Sequence, residues 1–208
     1  MMHYNVVISG MGVAGLSAAY EAANKNSTVC LVERRDAAFI RVQRIVLEPV
    51  SRDYLRSMLH TDKIPSNLAE QQADEKFLRE LEEVGVALKD IQGFIWRRLK
   101  ALPVSKIDYK FHSELTDIDL CKGSAMITSA DHPDQKTNIN FTYLIGADGV
   151  QRHTLNTLMN NPSNPAIECI ADPENLHQYG VVDLKRYLLV KIKNITQRIN
   201  YYHLYCAF

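Results

Sequence analysis

The 208-residue sequence has no long apolar run, no net charge and no regular cysteine spacing. Its longest apolar stretches, Tyr4–Ser9 and Tyr187–Val190, fall far short of the ~20 residues that span a bilayer, so a soluble chain without a transmembrane segment is expected. With 24 Lys+Arg against 24 Asp+Glu, both signs interspersed, it lacks the broad positive field of nucleic-acid binders and polybasic membrane proteins. The stretch after Met1 has no cationic flank and soon meets three glycines, so it reads as a buried strand and not as a secretory leader. Cys30, Cys121, Cys169 and Cys206 form no Cys-x-x-Cys pair, which points to a reducing, cytoplasmic compartment. His203 and Cys206 have no second pair to complete a tetrahedral site, and no metal is expected. The Asn-x-Ser/Thr matches at Asn26, Asn140 and Asn194 are read as chance in a chain without a leader.

What is present has the order of an α/β unit. Tyr4–Ser9 is a short β-branched run that ends at Gly10; Val13–Asn24 is rich in Ala, Leu and Glu; Thr28–Glu33 is a second apolar run. Strand, glycine turn, helix and strand make a βαβ unit with a parallel sheet covered on both faces. Helices are expected over Val46–Leu59, with Pro49 in the first turn, over Leu68–Val84, and over a segment carrying Ile91, Phe94, Ile95, Leu99 and Leu102 on one face. The period then changes. Ile107–Leu120, Ala125–Ser129 and Thr137–Phe141 read as three strands of a β-meander, placed before a separate buried strand, Tyr143–Ile145, and a helix over Val150–Met159. Asn160-Asn-Pro-Ser-Asn-Pro165 has linker composition, and Ala166–Phe208 is strand-like.

Gly10-Met11-Gly12-Val13-Ala14-Gly15 stands where the first strand meets the first helix. In such a fingerprint Gly10 permits the tight turn, Gly12 lets the backbone approach a pyrophosphate, and Gly15 lets helix and strand pack closely. The helix N-terminus, through Val13, Ala14 and Gly15, offers free N–H groups and a favourable dipole to the phosphates. Glu33 closes the second strand near the ~20-residue distance at which an acid meets the ribose hydroxyls. A carboxylate there repels a 2′-phosphate and favours FAD or NAD over NADP, whereas Arg34 and Arg35 offer guanidinium groups that could pair one.

The second glycine motif, Gly146-Ala147-Asp148-Gly149, makes the pattern specific. With the fingerprint, with Glu33-Arg34, with the Arg-containing loop Phe39-Ile-Arg41-Val-Gln43-Arg44-Ile-Val-Leu47-Glu-Pro49 and with Lys89-Asp-Ile-Gln92, it resembles the FAD-dependent monooxygenases of the aromatic-hydroxylase type. The closest resemblance is to the flavin domain of the MICAL proteins that oxidise actin. The likeness covers about residues 4–158. It implies an FAD cofactor reduced by NAD(P)H, with Arg41 against the flavin or pyrophosphate, Gln92 contacting the cofactor from its helix, and Asp148 and Gly149 at the ribityl or pyrophosphate region. Lys89 stands where the family has Arg, which removes a bidentate fork. His112 and His153 have no paired nucleophile and are not assigned a general-base role; no catalytic residue is named.

The expected fold is therefore α/β: a Rossmann-like FAD-binding domain over residues 1–160 with a parallel sheet and an inserted β-meander, a linker at 161–165, and the start of a second, β-rich substrate domain over 166–208. The family's third motif, a Gly-Asp followed by Pro and further glycines, has no counterpart, since the last glycine is Gly180. The chain is accordingly expected to be an N-terminal portion of such a protein, whether a fragment, a truncated product or a shortened relative, that holds an FAD half-site and not a closed active site. The functional expectation is an NAD(P)H-dependent flavin monooxygenase acting on an aromatic small molecule or a protein side chain. The alternatives are a non-catalytic nucleotide-binding module and, less well matched by the meander and Asp148, an NAD-dependent dehydrogenase.

Overall fold

The computed structural model describes residues 2–36, 39–59, 68–81, 85–102, 107–149 and 153–164, together with the backbone of strands at 167–170 and 189–192. The βαβ unit forms as expected: β1 (Met2–Ser9), α1 (Val13–Asn24) and β2 (Val29–Val32), with β1 and β2 parallel from Val6↔Val29 to Ser9↔Val32. On its other edge β1 pairs in parallel with β8 (Lys136–Gly146), in a register that ends at Ser9↔Gly146. The sheet has six strands in the order β5-β2-β1-β8-β7-β6.

The strand pattern departs from expectation in three places. The stretch 107–120 is two strands, β5 (Ile107–Lys110), parallel to β2, and β6 (Ser113–Asp119), antiparallel to β7 (Ser124–Ser129). The break falls at His112, whose φ of 48° lies in the left-handed region and turns the chain out of the strand. Thr137–Phe141 and Tyr143–Ile145 are one continuous strand, β8, because nothing at Thr142 interrupts the extended backbone; its first part pairs with β7 and its later part with β1. Residues Arg44–Ile45, expected to lead into a helix, form β3 and pair antiparallel with β4 (Val86–Ala87). The helix expected over Val46–Leu59 is shorter, α2 (Pro49–Ser57): it starts at Pro49 and not at Val46, because proline at the first helical position needs no N–H partner.

Two cores cover the two faces. On one, Val6, Ile8, Val29 and Leu31 meet α1, α2, α3 (Leu68–Glu80) and α4 (Leu88–Lys100), with Phe77 of α3 stacked on Phe94 of α4. On the other, Val7, Cys30 and Val32 meet Leu115, Ile118, Ile127, Phe141 and Leu158, the last from α5 (His153–Asn160). Alternate residues of the central strands thus face alternate cores, as the pleat requires. Asp74, 3% exposed, joins α3 to α4 through 2.7 Å contacts to both Arg97 and Arg98.

The helix expected over Leu68–Val84 is assigned to Glu80, and 82–84 lie outside the described residues; α5 begins at His153, with 150–152 likewise outside. The start of the stretch expected to be a linker is fastened to β6 and α5. Asn164 donates to the carbonyls of Ile118 and Leu158 and accepts from the Leu120 N–H, and Asn161 donates to Ile118. Strands β9 (Ile167–Ile170) and β10 (Leu189–Ile192) pair antiparallel. His203 and Cys206 lie outside the described residues. Among the described residues no helix is long and apolar enough to cross a membrane.

Candidate functional site

The two glycine motifs meet. β1 and β8 are parallel neighbours, so Gly10 and Ala147 leave the sheet side by side, and the Ala147 N–H donates to the Ser9 carbonyl at 2.7 Å. Gly10 has a φ of +101°, and a Cβ on it would lie 2.4 Å from the Ala147 carbonyl oxygen. A Cβ on Gly15 would lie 1.9 Å from the Gly10 oxygen. Both positions are thereby closed to any side chain by the fold itself. Gly12 is different: its φ of −66° suits any residue, and an added Cβ would meet nothing closer than 3.9 Å. The protein leaves open space beside it.

Gly12 is the N-cap of α1, no side chain caps the helix, and its first turn holds no acid. The leading N–H groups of an α-helix have no partner within the helix. Met11, buried between the glycines, is fixed at both ends: its N–H donates to Glu33 Oε2 at 2.7 Å, and its carbonyl accepts from Gln92 Nε2 at 3.2 Å. Glu33 Oε1 accepts from the Arg35 N–H at 3.0 Å. Each oxygen of that carboxylate keeps a further acceptor position.

Of the residues singled out in sequence, Gly10, Gly12, Val13, Ala14, Gly15, Glu33, Gln92, Asp148 and Gly149 gather at the carboxyl ends of β1, β2 and β8 or at the adjoining start of α4. Besides Glu33, two of them have protein partners that the sequence did not reveal. Gln92 reaches the loop itself, and Asp148 Oδ2 accepts from the Thr154 N–H, capping α5. Arg34 and Arg41 are exposed, and no hydrogen bond or ion pair ties either guanidinium to the glycine loop among the described residues. The Arg41 backbone is held instead: its carbonyl accepts from Lys89 N–H and that of Gln43 from Leu88 N–H, sewing this loop to the start of α4. Sequence reasoning passed over Met11 and Ala147, whose parts are played by main-chain atoms that no residue type advertises.

Beside Glu33 lies a charged cluster. The Glu33 carbonyl accepts from Ser113 N–H, and the neighbouring His112 faces Asp36 with Nε2 and Asp131 with Nδ1, the latter at 3.2 Å. The hydrogen bond to Asp36 and the two negative charges raise the His112 pKa above its ordinary value. His153 contacts the Leu115 carbonyl and Glu114, away from the glycine loop. A groove of about 370 Å³ on α3 and α4, lined by Phe39, Ala73, Gly93 and Trp96 among others, includes none of the fingerprint residues. The described residues contain no cluster able to hold a metal ion.

No family model matches this chain, and no curated protein does. Solved structures do. The p-nitrophenol 4-monooxygenase of Pseudomonas putida superposes with a TM-score of 0.59 at 12% identity, over 83% of this chain and 46% of that one. The flavin-dependent monooxygenase PieE, solved with FAD and substrate, gives 0.56 at 15% over 82% and 33%. The anhydrotetracycline hydroxylase OxyS of Streptomyces rimosus gives 0.53 at 18% over 82% and 35%. The chain thus spans between a third and a half of these structures. At such identities the likeness is one of fold: a Rossmann-like mixed sheet with flanking helices, related to that of flavin-dependent aromatic hydroxylases.

Proposed function

We propose that this chain binds FAD and belongs to an NAD(P)H-dependent flavin oxidoreductase of the monooxygenase type. The observation that carries the reading is the junction of the two glycine motifs at the carboxyl ends of β1 and β8. The chain leaves β1 for β2 on one side and returns as β8 on the other, and the crevice at such a switch point is where open α/β sheets bind ligands. The residues fit the ADP half of the cofactor. The space beside Gly12 admits a pyrophosphate, the uncapped N-terminus of α1 supplies N–H donors, and Glu33 retains lone pairs for ribose hydroxyls. Arg41, Gln92, Asp148 and Gly149 lie toward the other half in this reading. The flavin, when bound, supplies redox chemistry between NAD(P)H and O₂. An aromatic small molecule is the substrate class this reading favours, as the name of one structural relative, a p-nitrophenol 4-monooxygenase, suggests; oxidation of a protein side chain is the alternative, and it rests on the resemblance of the sequence to the MICAL proteins.

A second reading has its own support. Asp148 and Gln92, the residues assigned to the flavin half, both have protein partners, whereas in the ADP half the space beside Gly12 is open and Glu33, though it accepts from Met11 and Arg35, keeps acceptor positions. A module that holds ADP alone would look the same. Calorimetry with ADP and FAD separates the two: the flavoprotein binds FAD at least as tightly as ADP, and the module prefers ADP. In either case Gly12→Val fills the open space and abolishes binding. Equal affinities in the wild type and Gly12→Val would overturn both.

A further inference from the structure

Met11 is where two distant elements grip the fingerprint loop. Glu33, closing β2, holds its N–H, and Gln92, in the second turn of α4, holds its carbonyl. Because a peptide unit is planar and trans, fixing one of its polar atoms fixes the opposite one. The Met11 N–H shares a plane with the Gly10 carbonyl, and that carbonyl lies where a Cβ on Gly15 would stand 1.9 Å from it, so Glu33 holds the Gly10 oxygen against α1. The Met11 carbonyl shares a plane with the Gly12 N–H. Gln92 therefore pulls the oxygen toward α4 and turns the Gly12 N–H the opposite way. That N–H has no acceptor among the described residues, and the space beside Gly12 is open.

We propose that Gln92 is a positioning residue for the phosphate site, acting through the Met11–Gly12 peptide to aim the Gly12 N–H. This rests on the nucleotide-binding reading above and assigns Gln92 a different place in it: Gln92 acts on the loop and not on the flavin. The loop cannot set this peptide by itself. Gly12 has no side chain to restrain it, and a peptide beside a glycine flips readily unless something outside holds it. The same link joins the site to the Arg41 loop, since the first turn of α4 holds Arg41 and Gln43 by backbone hydrogen bonds.

The test uses Gln92→Met, which keeps the length and helix propensity and removes the donor, with Gln92→Glu as a second variant whose ionised carboxylate also cannot donate to a carbonyl. Two measurements are made on the 208-residue chain: ADP and FAD affinities by calorimetry, and the Gly12 amide resonance in ligand-free protein. The expected result is that Gln92→Met weakens ADP and FAD by the same factor, about five- to tenfold for one lost hydrogen bond, and that both variants move the Gly12 amide. A purely structural loss would change stability without this parity. Weakening of FAD alone would place Gln92 on the flavin half and overturn the inference, as would unchanged affinities with an unmoved Gly12 resonance. If the wild type bound neither ligand, the functional reading would fail, and the Gly12 resonance would still decide whether Gln92 sets the loop.

Discussion

Asp148 sits in a motif that resembles a cofactor contact, yet its carboxylate accepts a hydrogen bond from the Thr154 backbone at the start of α5. Replacing it separates the two roles, because the two conservative variants differ in what they keep. Asp148→Ala removes the cap, worth about 0.5–2 kcal/mol, and the favourable charge at the helix N-terminus, worth about 0.3–1 kcal/mol. α5 is only eight residues long and lodges Leu155 and Leu158 in the core, so a frayed first turn loosens that packing. A loss of about 1–2 kcal/mol in urea unfolding follows, or about 2–4 °C per kcal/mol in a melt. Asp148→Asn caps as well as Asp and should recover most of that stability. Asp148→Ala loses the charge-assisted bond to a flavin-side hydroxyl, worth about 1.5–3 kcal/mol, so FAD weakens by at least tenfold; Asp148→Asn loses only the charge and weakens FAD by a smaller factor, and ADP is unchanged in both. Urea titration and calorimetry on the same preparations give both numbers. An Asp148→Ala protein as stable as the wild type would refute the capping role, and equal weakening of ADP and FAD would refute the placement at the flavin half.

Three further outcomes are expected. Gly15→Ala should destabilise the fold by several kcal/mol, at the upper end of or above the ~1–3 kcal/mol typical of overpacking, since its Cβ would overlap the Gly10 carbonyl oxygen; Gly12→Ala should leave the melting temperature unchanged and weaken only nucleotide binding. Asp74→Ala leaves Arg97 and Arg98 without their carboxylate beneath α3, and a denaturant titration should show a loss of about 3–5 kcal/mol; a loss below 1 kcal/mol would mean that the triad contributes little. His112 has a carboxylate at each ring nitrogen, so only the imidazolium can donate to both. With its pKa raised in the folded state, the contribution is fully present below the ordinary value near 6.5 and is lost as pH rises through the raised value. An imidazole NMR titration should show the elevated pKa in the wild type and its fall in Asp36→Asn; an unshifted value would refute the clasp.

The sequence alone determined what is local. The run Tyr4–Ser9, the spacing of Gly10, Gly12 and Gly15, and the Ala-rich stretch after them specify strand, turn and helix within one short segment, and α1 spans Val13–Asn24 in both. Residue type also sufficed for the apolar face of α4 and for a helix around Pro49, though that helix starts at Pro49 and not at Val46, because periodicity and a missing N–H act over one or two turns. Strand pairing was another matter. That β5 joins β2, and that β8 runs unbroken from the meander to the centre of the sheet, depend on partners far away in the chain, for which the sequence supplies alternation but no register. The same holds in the site. Glu33, Gln92 and Asp148 were legible as polar residues near glycines, but their partners are the main-chain atoms of Met11, Arg35 and Thr154. Every residue presents the same backbone N–H and carbonyl, so the choice of partner was made by the packing of α4, β2 and α5 around the loop.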